Sequence, residues 1–116
     1  MKNMKTEEQF FENNKQRIIE LQKLLTAIPA IAPEGGGDGE TKKCDALEKW
    51  LKENGFTNIE RFSSPDSRVS SGERPSLIVT IPGKIQEKYD NKRIWVMTHL
   101  DVVPEGDISL WDTNPF

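Results

Sequence analysis

The sequence holds a single cysteine, Cys44, so no internal disulfide can form and a reducing compartment suits the chain best. It has no apolar run approaching the ~20 residues of a membrane span. Its opening, MKNMKTEEQFFENNK, lacks the hydrophobic stretch of a secretory signal. Basic charge is not in excess: 16 Lys and Arg stand against 19 Asp and Glu, a net charge of −3. That balance excludes the basic patch or arm expected of a protein that binds nucleic acid or an anionic membrane. A cytoplasmic location is the expectation. Histidine occurs once, at His99, so the chain has one imidazole to offer as a base or a ligand.

The 116 residues are a normal length for one domain. With 34 % hydrophobic and 30 % charged residues, the composition is polar for a self-sufficient globule. It fits either a well-solvated surface or a piece whose apolar surface is covered by something else.

Apolar residues at helical spacing (Phe10, Phe11, Ile18, Leu21, Leu24, Leu25, Ile28) predict a first helix, capped by Thr6 with Gln9 and ended near Pro29. An irregular stretch, 30–39, carries Gly35, Gly36 and Gly37 and reads as a flexible connection. A second helix is expected from about Glu40 to Asn54. Asp38 or Thr41 would cap it, Gly55 would stop it, and Cys44, Leu47, Trp50 and Leu51 form its apolar face. Three strands follow in the pattern: a short one at 56–62, a clear one at 76–81 (SLIVTI) and one at 93–98 (RIWVMT) apolar enough to be central in a sheet. A polar loop at 63–75 and a charged connection after Gly83 separate them. Helix, helix, strand, strand, strand suits one side of an α/β layered domain, with the cover for the last strand missing.

The chemistry sits in Thr98-His99-Leu100-Asp101, directly after the third strand pattern. Residues two apart in an extended segment point the same way, so His99 and Asp101 can face a cleft together. A metal-binding imidazole presents one nitrogen as a lone pair, and a carboxylate accepting the proton of the other nitrogen fixes that tautomer. Taken alone, His-x-Asp is a weak signal; a histidine hydrogen-bonded to a neighbouring acid for structural reasons is the commoner meaning.

The longer string MTHLDVVPEGDISLWDTNPF resembles metallopeptidase family 20, which includes acetylornithine deacetylase, succinyl-diaminopimelate desuccinylase and the aminoacylases. In that family a buried strand leads into His-x-Asp-Val-Val-Pro, then Gly-Asp, a Trp and a Pro-Phe pair. The matching residues here are His99, Asp101, Val102, Val103, Pro104, Gly106, Asp107, Trp111, Pro115 and Phe116. The stretch IPAIAPEGGGDGE and the helix ending LKENGF are similar to the family as well.

The resemblance implies an α/β fold, the amino-terminal part of a three-layer α/β/α zinc-hydrolase catalytic domain, with residues 1–116 supplying two helices and three strands. It implies that His99 is a ligand of one of two zinc ions, with cobalt as the alternative metal. Asp101 is then the acid that clamps that ring. It implies a parent that hydrolyses N-acyl amino acids or small peptides as a deacylase or dipeptidase, and leaves room for a homodimer. In the family the bridging Asp, the Glu-Glu pair that includes the general base, and the other ligands come later in the chain. None can be assigned among these residues, so the 116-residue chain alone is expected to be inactive. Asp107 and Asp112 are acids of the same loop with no geometry inferable from sequence.

Other candidates carry less. Cys44 shares its apolar helix face with Leu47 and Leu51 and reads as a buried structural thiol. GGGDGE is no phosphate loop, since no strand precedes it and no Gly-Lys-Ser/Thr follows. Trp50 and Trp95 read as core, while Trp111 resembles the family's loop residue near the mouth of the site. The rival to the hydrolase reading is a non-catalytic remnant or small interaction module that retains the fold's amino-terminal layer.

Overall fold

The first helix, α1, spans Met4–Thr26 and the second, α2, spans Thr41–Glu53. Two strands follow, β1 (Ile59–Pro65) and β2 (Glu73–Val79), with short 3-10 turns at Pro33–Gly35 and Ile108–Leu110. The structure is a computed structural model that describes residues 4–83 and 92–116. The charged connection expected after Gly83 falls mostly at 84–91, outside the described residues. The mixed α/β class holds. Among the described residues, no helix is long and apolar enough to cross a membrane.

The chain is already helical at Met4, so Thr6 lies inside α1 rather than capping it. Met and Lys are good helix formers, and nothing before Thr6 in the described chain breaks the pattern. At the other end α1 stops at Thr26, two residues earlier than the apolar spacing suggests. Pro29 is the cause: its ring disfavours the helical conformation at Ile28 and it has no N–H to continue the ladder. Leu21, Leu24, Leu25 and Ile28 are partly buried, but Phe10, Phe11 and Ile18 of the same stripe are exposed.

α2 matches its pattern closely. It ends in a Schellman arrangement in which the Phe56 N–H donates to the Leu51 carbonyl at 3.0 Å and the Gly55 N–H to the Lys52 carbonyl at 3.2 Å. Gly55 holds φ +86°, the left-handed conformation that this motif requires. Neither expected residue caps the amino-terminal end. The N-cap is Glu40, without a side-chain cap. Asp38 instead accepts from the Ser70 backbone N–H at 2.6 Å and from the Ser70 hydroxyl, which hold its carboxyl below the usual range. Thr41 bonds Ser71. Both side chains are drawn to the loop at 66–72, where a second segment has donors and acceptors to satisfy. α1 and α2 are joined by Arg17, whose Nη2 donates to Asn54 Oδ1 at 2.7 Å while its guanidinium lies 5.9 Å from the centre of the Trp50 ring.

β1 and β2 form an antiparallel hairpin running from Ile59 opposite Val79 to Pro65 opposite Glu73. The strands therefore extend into the polar stretch read as loop from sequence, and the connection shrinks to 66–72 around the buried Val69. β2 packs on α2. Charged bridges fasten the rest: Arg61 of β1 reaches Asp45 at 2.6 Å and Glu48 at 3.2 Å on α2. Arg74 grips the buried Glu40 through its Nε, 2.8 Å from each carboxylate oxygen.

The expected third strand does not form. Residues 93–98 run without strand pairing to any described segment, and Ile94 is 95 % and Met97 91 % exposed. Trp95, expected in the core, is exposed with them. An apolar β-rich run states how a segment would sit if sheet neighbours flanked it; β1 and β2 pair with each other and neither takes it in. The buried apolar residues of the described chain are Ala30, Cys44 and Val69.

Candidate functional site

Residues 98–104 are held in place by the joint between α1 and α2. The Val102 N–H donates to the carbonyl of the fully buried Ala30 at 3.0 Å, and Ile31 and Val102 form an isolated parallel bridge. The glycine stretch behind this contact is not a slack connection. The Gly37 N–H donates to the Ala32 carbonyl at 3.2 Å and the Gly39 N–H to the Ile31 carbonyl at 2.9 Å. A β-carbon at Gly37 would lie 2.1 Å from the Ile31 carbonyl oxygen, so only glycine lets the chain fold back this closely. Gly37→Ala is expected to lower the stability of the full-length protein by at least about 2 kcal/mol, read from the denaturant midpoint. An unchanged midpoint would remove this joint as the support of the His99 segment.

His99 projects from that segment with its side chain 81 % exposed, and Asp101 beside it is 47 % exposed. The ring Nδ1 lies 2.8 Å from the Asp101 carbonyl oxygen and 3.3 Å from Asp101 Oδ1. A carbonyl oxygen can only accept, so in the neutral ring Nδ1 carries the proton and Nε2 is left with the lone pair. Nε2 has no hydrogen-bond partner among the described residues. The structure thus places His99 and Asp101 together, with a difference from the expected geometry: the nearer acceptor is the backbone of Asp101 rather than its carboxylate.

A hollow of about 550 Å³ opens beside this pair. Leu25 of α1, Val102, Pro104, Trp111 and Phe116 form its apolar walls. Trp111 Nε1 donates to the Glu105 carbonyl at 3.0 Å, which closes the loop on itself and stands the indole at the wall. Asp107 caps the 3-10 turn Ile108–Leu110, accepting from the Ser109 N–H at 2.9 Å and the Ser109 hydroxyl at 2.7 Å. Those bonds lower its carboxyl and account for it structurally. On the other side a groove of about 300 Å³ separates the 98–101 segment from Pro75, Ser76 and Leu77 of β2.

The donor set fits one coordination position and no more. His99 offers a neutral imidazole nitrogen whose tautomer is fixed, as a metal ligand requires. Among the described residues, however, no group of three or more His, Cys, Asp or Glu side chains converges to hold an ion. Cys44 adds nothing to the site: it is fully buried, and burial pushes its thiol up to about 11, leaving no thiolate at neutral pH.

Sequence reasoning missed Lys43, which lines the hollow and is only 5 % exposed. Burial lowers its pKa, and the Asp101 carboxylate pulls the other way. A signal was there, since Lys43 precedes Leu47 by four residues and Trp50 by seven and so shares their helix face.

No protein-family model and no solved structure matches the chain. Over 106 residues it is 35 % identical to an uncharacterized metallohydrolase of Methanocaldococcus jannaschii, a match that takes in 87 % of this chain and 24 % of that protein. Over 107 residues it is 34 % identical to an uncharacterized metallohydrolase of Methanococcus maripaludis, with 84 % and 23 % covered. The chain therefore spans about a quarter of the length of the curated relatives it matches, and along that quarter it is similar to proteins named as metal-dependent hydrolases.

Proposed function

We propose that this chain contributes His99, as a metal ligand, and Asp101, as its orienting acid, to a metal-dependent amidohydrolase of the metallopeptidase family 20 type. The observation that carries the reading is the fixed imidazole: Nδ1 is held by Asp101 at 2.8 Å, so the lone pair of Nε2 faces the solvent beside an apolar hollow. When bound, zinc (or cobalt) would polarise an amide carbonyl and acidify a water molecule. The residues of this chain do the rest of their work without it. Asp101 keeps the ring in one tautomer, the Ala30–Val102 hydrogen bond fixes the depth of the segment, and Trp111 and Phe116 exclude water from one side of the bound amide. The substrates are N-acyl amino acids or small peptides, cleaved to a carboxylate and an amine. The general base and the remaining ligands lie outside the described residues, and these 116 residues alone are inactive. The setting is the cytoplasm, and the intact enzyme acts as a monomer or a homodimer.

One observation favours a second reading, a non-catalytic module: the described residues do not assemble three ligands. Two measurements separate the readings. The coding sequence downstream of Phe116 is expected to continue in frame and to supply an Asp followed by a Glu-Glu pair; a stop codon there favours the module. Zinc added to the purified 116-residue chain is expected to bind weakly, through one imidazole. Tight stoichiometric zinc would contradict the incomplete donor set.

A further inference from the structure

The peptide unit between Asp101 and Val102 is shared by two hydrogen bonds. Its carbonyl oxygen lies 2.8 Å from His99 Nδ1, and its N–H donates to the Ala30 carbonyl at 3.0 Å. A peptide is planar, and among the described residues none is cis, so its C=O and N–H point in opposite directions. Fastening the N–H therefore settles where the oxygen is aimed. The two bonds make one line from Ala30 through the peptide to the imidazole, and bonds in such a line polarise one another. Ala30, at the anchored end, is fully buried. The linker that carries it is held from two sides. Gly35 packs so closely between Ile31 and Pro104 that a β-carbon there would lie 3.0 Å from a side-chain carbon of each. The hairpin loop clasps the other side: Ser70 binds Asp38 through its backbone N–H at 2.6 Å and through its hydroxyl, and the buried Val69 lies against Gly39. The Asp101 carboxylate is farther from the ring, at 3.3 Å, and 47 % exposed to competing water.

We propose that Val102 is a positioning residue for the His99 ligand, acting through its N–H: anchored on Ala30, it aims the Asp101 carbonyl at Nδ1 and so keeps the lone pair on Nε2. The tautomer is set by main chain, from the linker between α1 and α2, and the exposed carboxylate has a supporting part. This deepens the metal-ligand reading and rests on it for the use made of Nε2; the alignment itself exists without metal. Because the line runs through the backbone, exchanging the side chain at position 102 leaves it intact, and loss of the N–H cuts it.

The test is nitrogen NMR of the chelator-treated full-length gene product with labelled histidine, in alkaline buffer where a histidine ring is neutral; His99→Ala identifies the signals. The unmodified protein is expected to carry the ring proton on Nδ1 and to protect the Val102 amide from hydrogen exchange. Val102→Pro, which removes that N–H, is expected to lower the ratio of the Nδ1–H to the Nε2–H form at least about fivefold, the effect of one hydrogen bond. Val102→Ala, which keeps the N–H, is expected to match the unmodified protein. A ring proton mainly on Nε2, an unprotected Val102 amide, a ratio that survives Val102→Pro, or one that is lost in Val102→Ala overturns the proposal. Should Val102→Pro fail to fold, the tautomer and the amide exchange of the unmodified protein decide. Metal content of the untreated protein and of its His99→Ala variant judges the metal reading separately, so the two can fail independently.

Discussion

His99→Ala in the full-length protein is expected to lower turnover of an N-acyl amino acid by at least about 10³-fold and to reduce bound metal by one ion per chain. The size follows from the absence of a substitute. The 116 residues contain no second histidine, and no cluster of other donors converges among the described residues. The companion change Asp101→Asn carries a smaller and more informative effect. Loss of an orienting acid typically costs about 10–100-fold in metal affinity. Here the nearer acceptor of the Nδ1 proton is the Asp101 carbonyl at 2.8 Å, which the asparagine variant retains, while the carboxylate lies farther at 3.3 Å. The loss should therefore sit near the tenfold end of that range. Metal analysis and a competitive zinc titration check both changes. Full metal content and normal turnover in His99→Ala would sink the assignment outright.

The second large effect concerns the 116-residue chain by itself. It is expected to unfold over a broad range without a cooperative transition and to bind an apolar dye strongly in dilute buffer. Ordering each residue costs about 1–2 kcal/mol of backbone entropy, and burial of apolar side chains has to offset it. Among its apolar residues the described chain buries only Ala30, Cys44 and Val69. Ile94, Trp95, Val96 and Met97 lie in water as a contiguous patch, a surface that isolated monomers rarely leave uncovered. Tryptophan fluorescence, calorimetry and dye binding together decide the matter. A sharp monomeric melt with equal calorimetric and van't Hoff enthalpies would show that the charged bridges and the hairpin supply stability that burial does not.

Legibility followed the range of the forces involved. α2 could be placed almost to the residue because its signals are local: a 3.6-residue apolar period and a glycine where the chain must turn left-handed at φ +86°. The hairpin was half legible. Its apolar strand, SLIVTI, announces itself, but the extension of β1 through Ser63, Ser64 and Pro65 is fixed by partners across the ladder, which composition does not reveal. The strand expected at 93–98 failed for the same reason in reverse, since the side chains favour a sheet and no neighbour arrives. At the site, the spacing of His99 and Asp101 foretold that they would meet. That the backbone oxygen would be the closer acceptor was beyond a period-two argument about side chains. Lys43 was overlooked because a charged residue at the margin of an apolar face is read as solvated until its burial is known.

The contacts between the helices and the His99 segment have a mechanical meaning. Arg17 clips one helix to the far end of the other, and Ile31, directly behind the joint, carries Val102 on its backbone. The segment that carries the imidazole is thereby tied to the linker between the two helices, so a displacement of that linker shifts Val102 with it. The donor's aim is thus set some seventy positions upstream in the chain, and a disturbance of that pivot will be felt as a misdirected nitrogen even where every residue around the ring is intact.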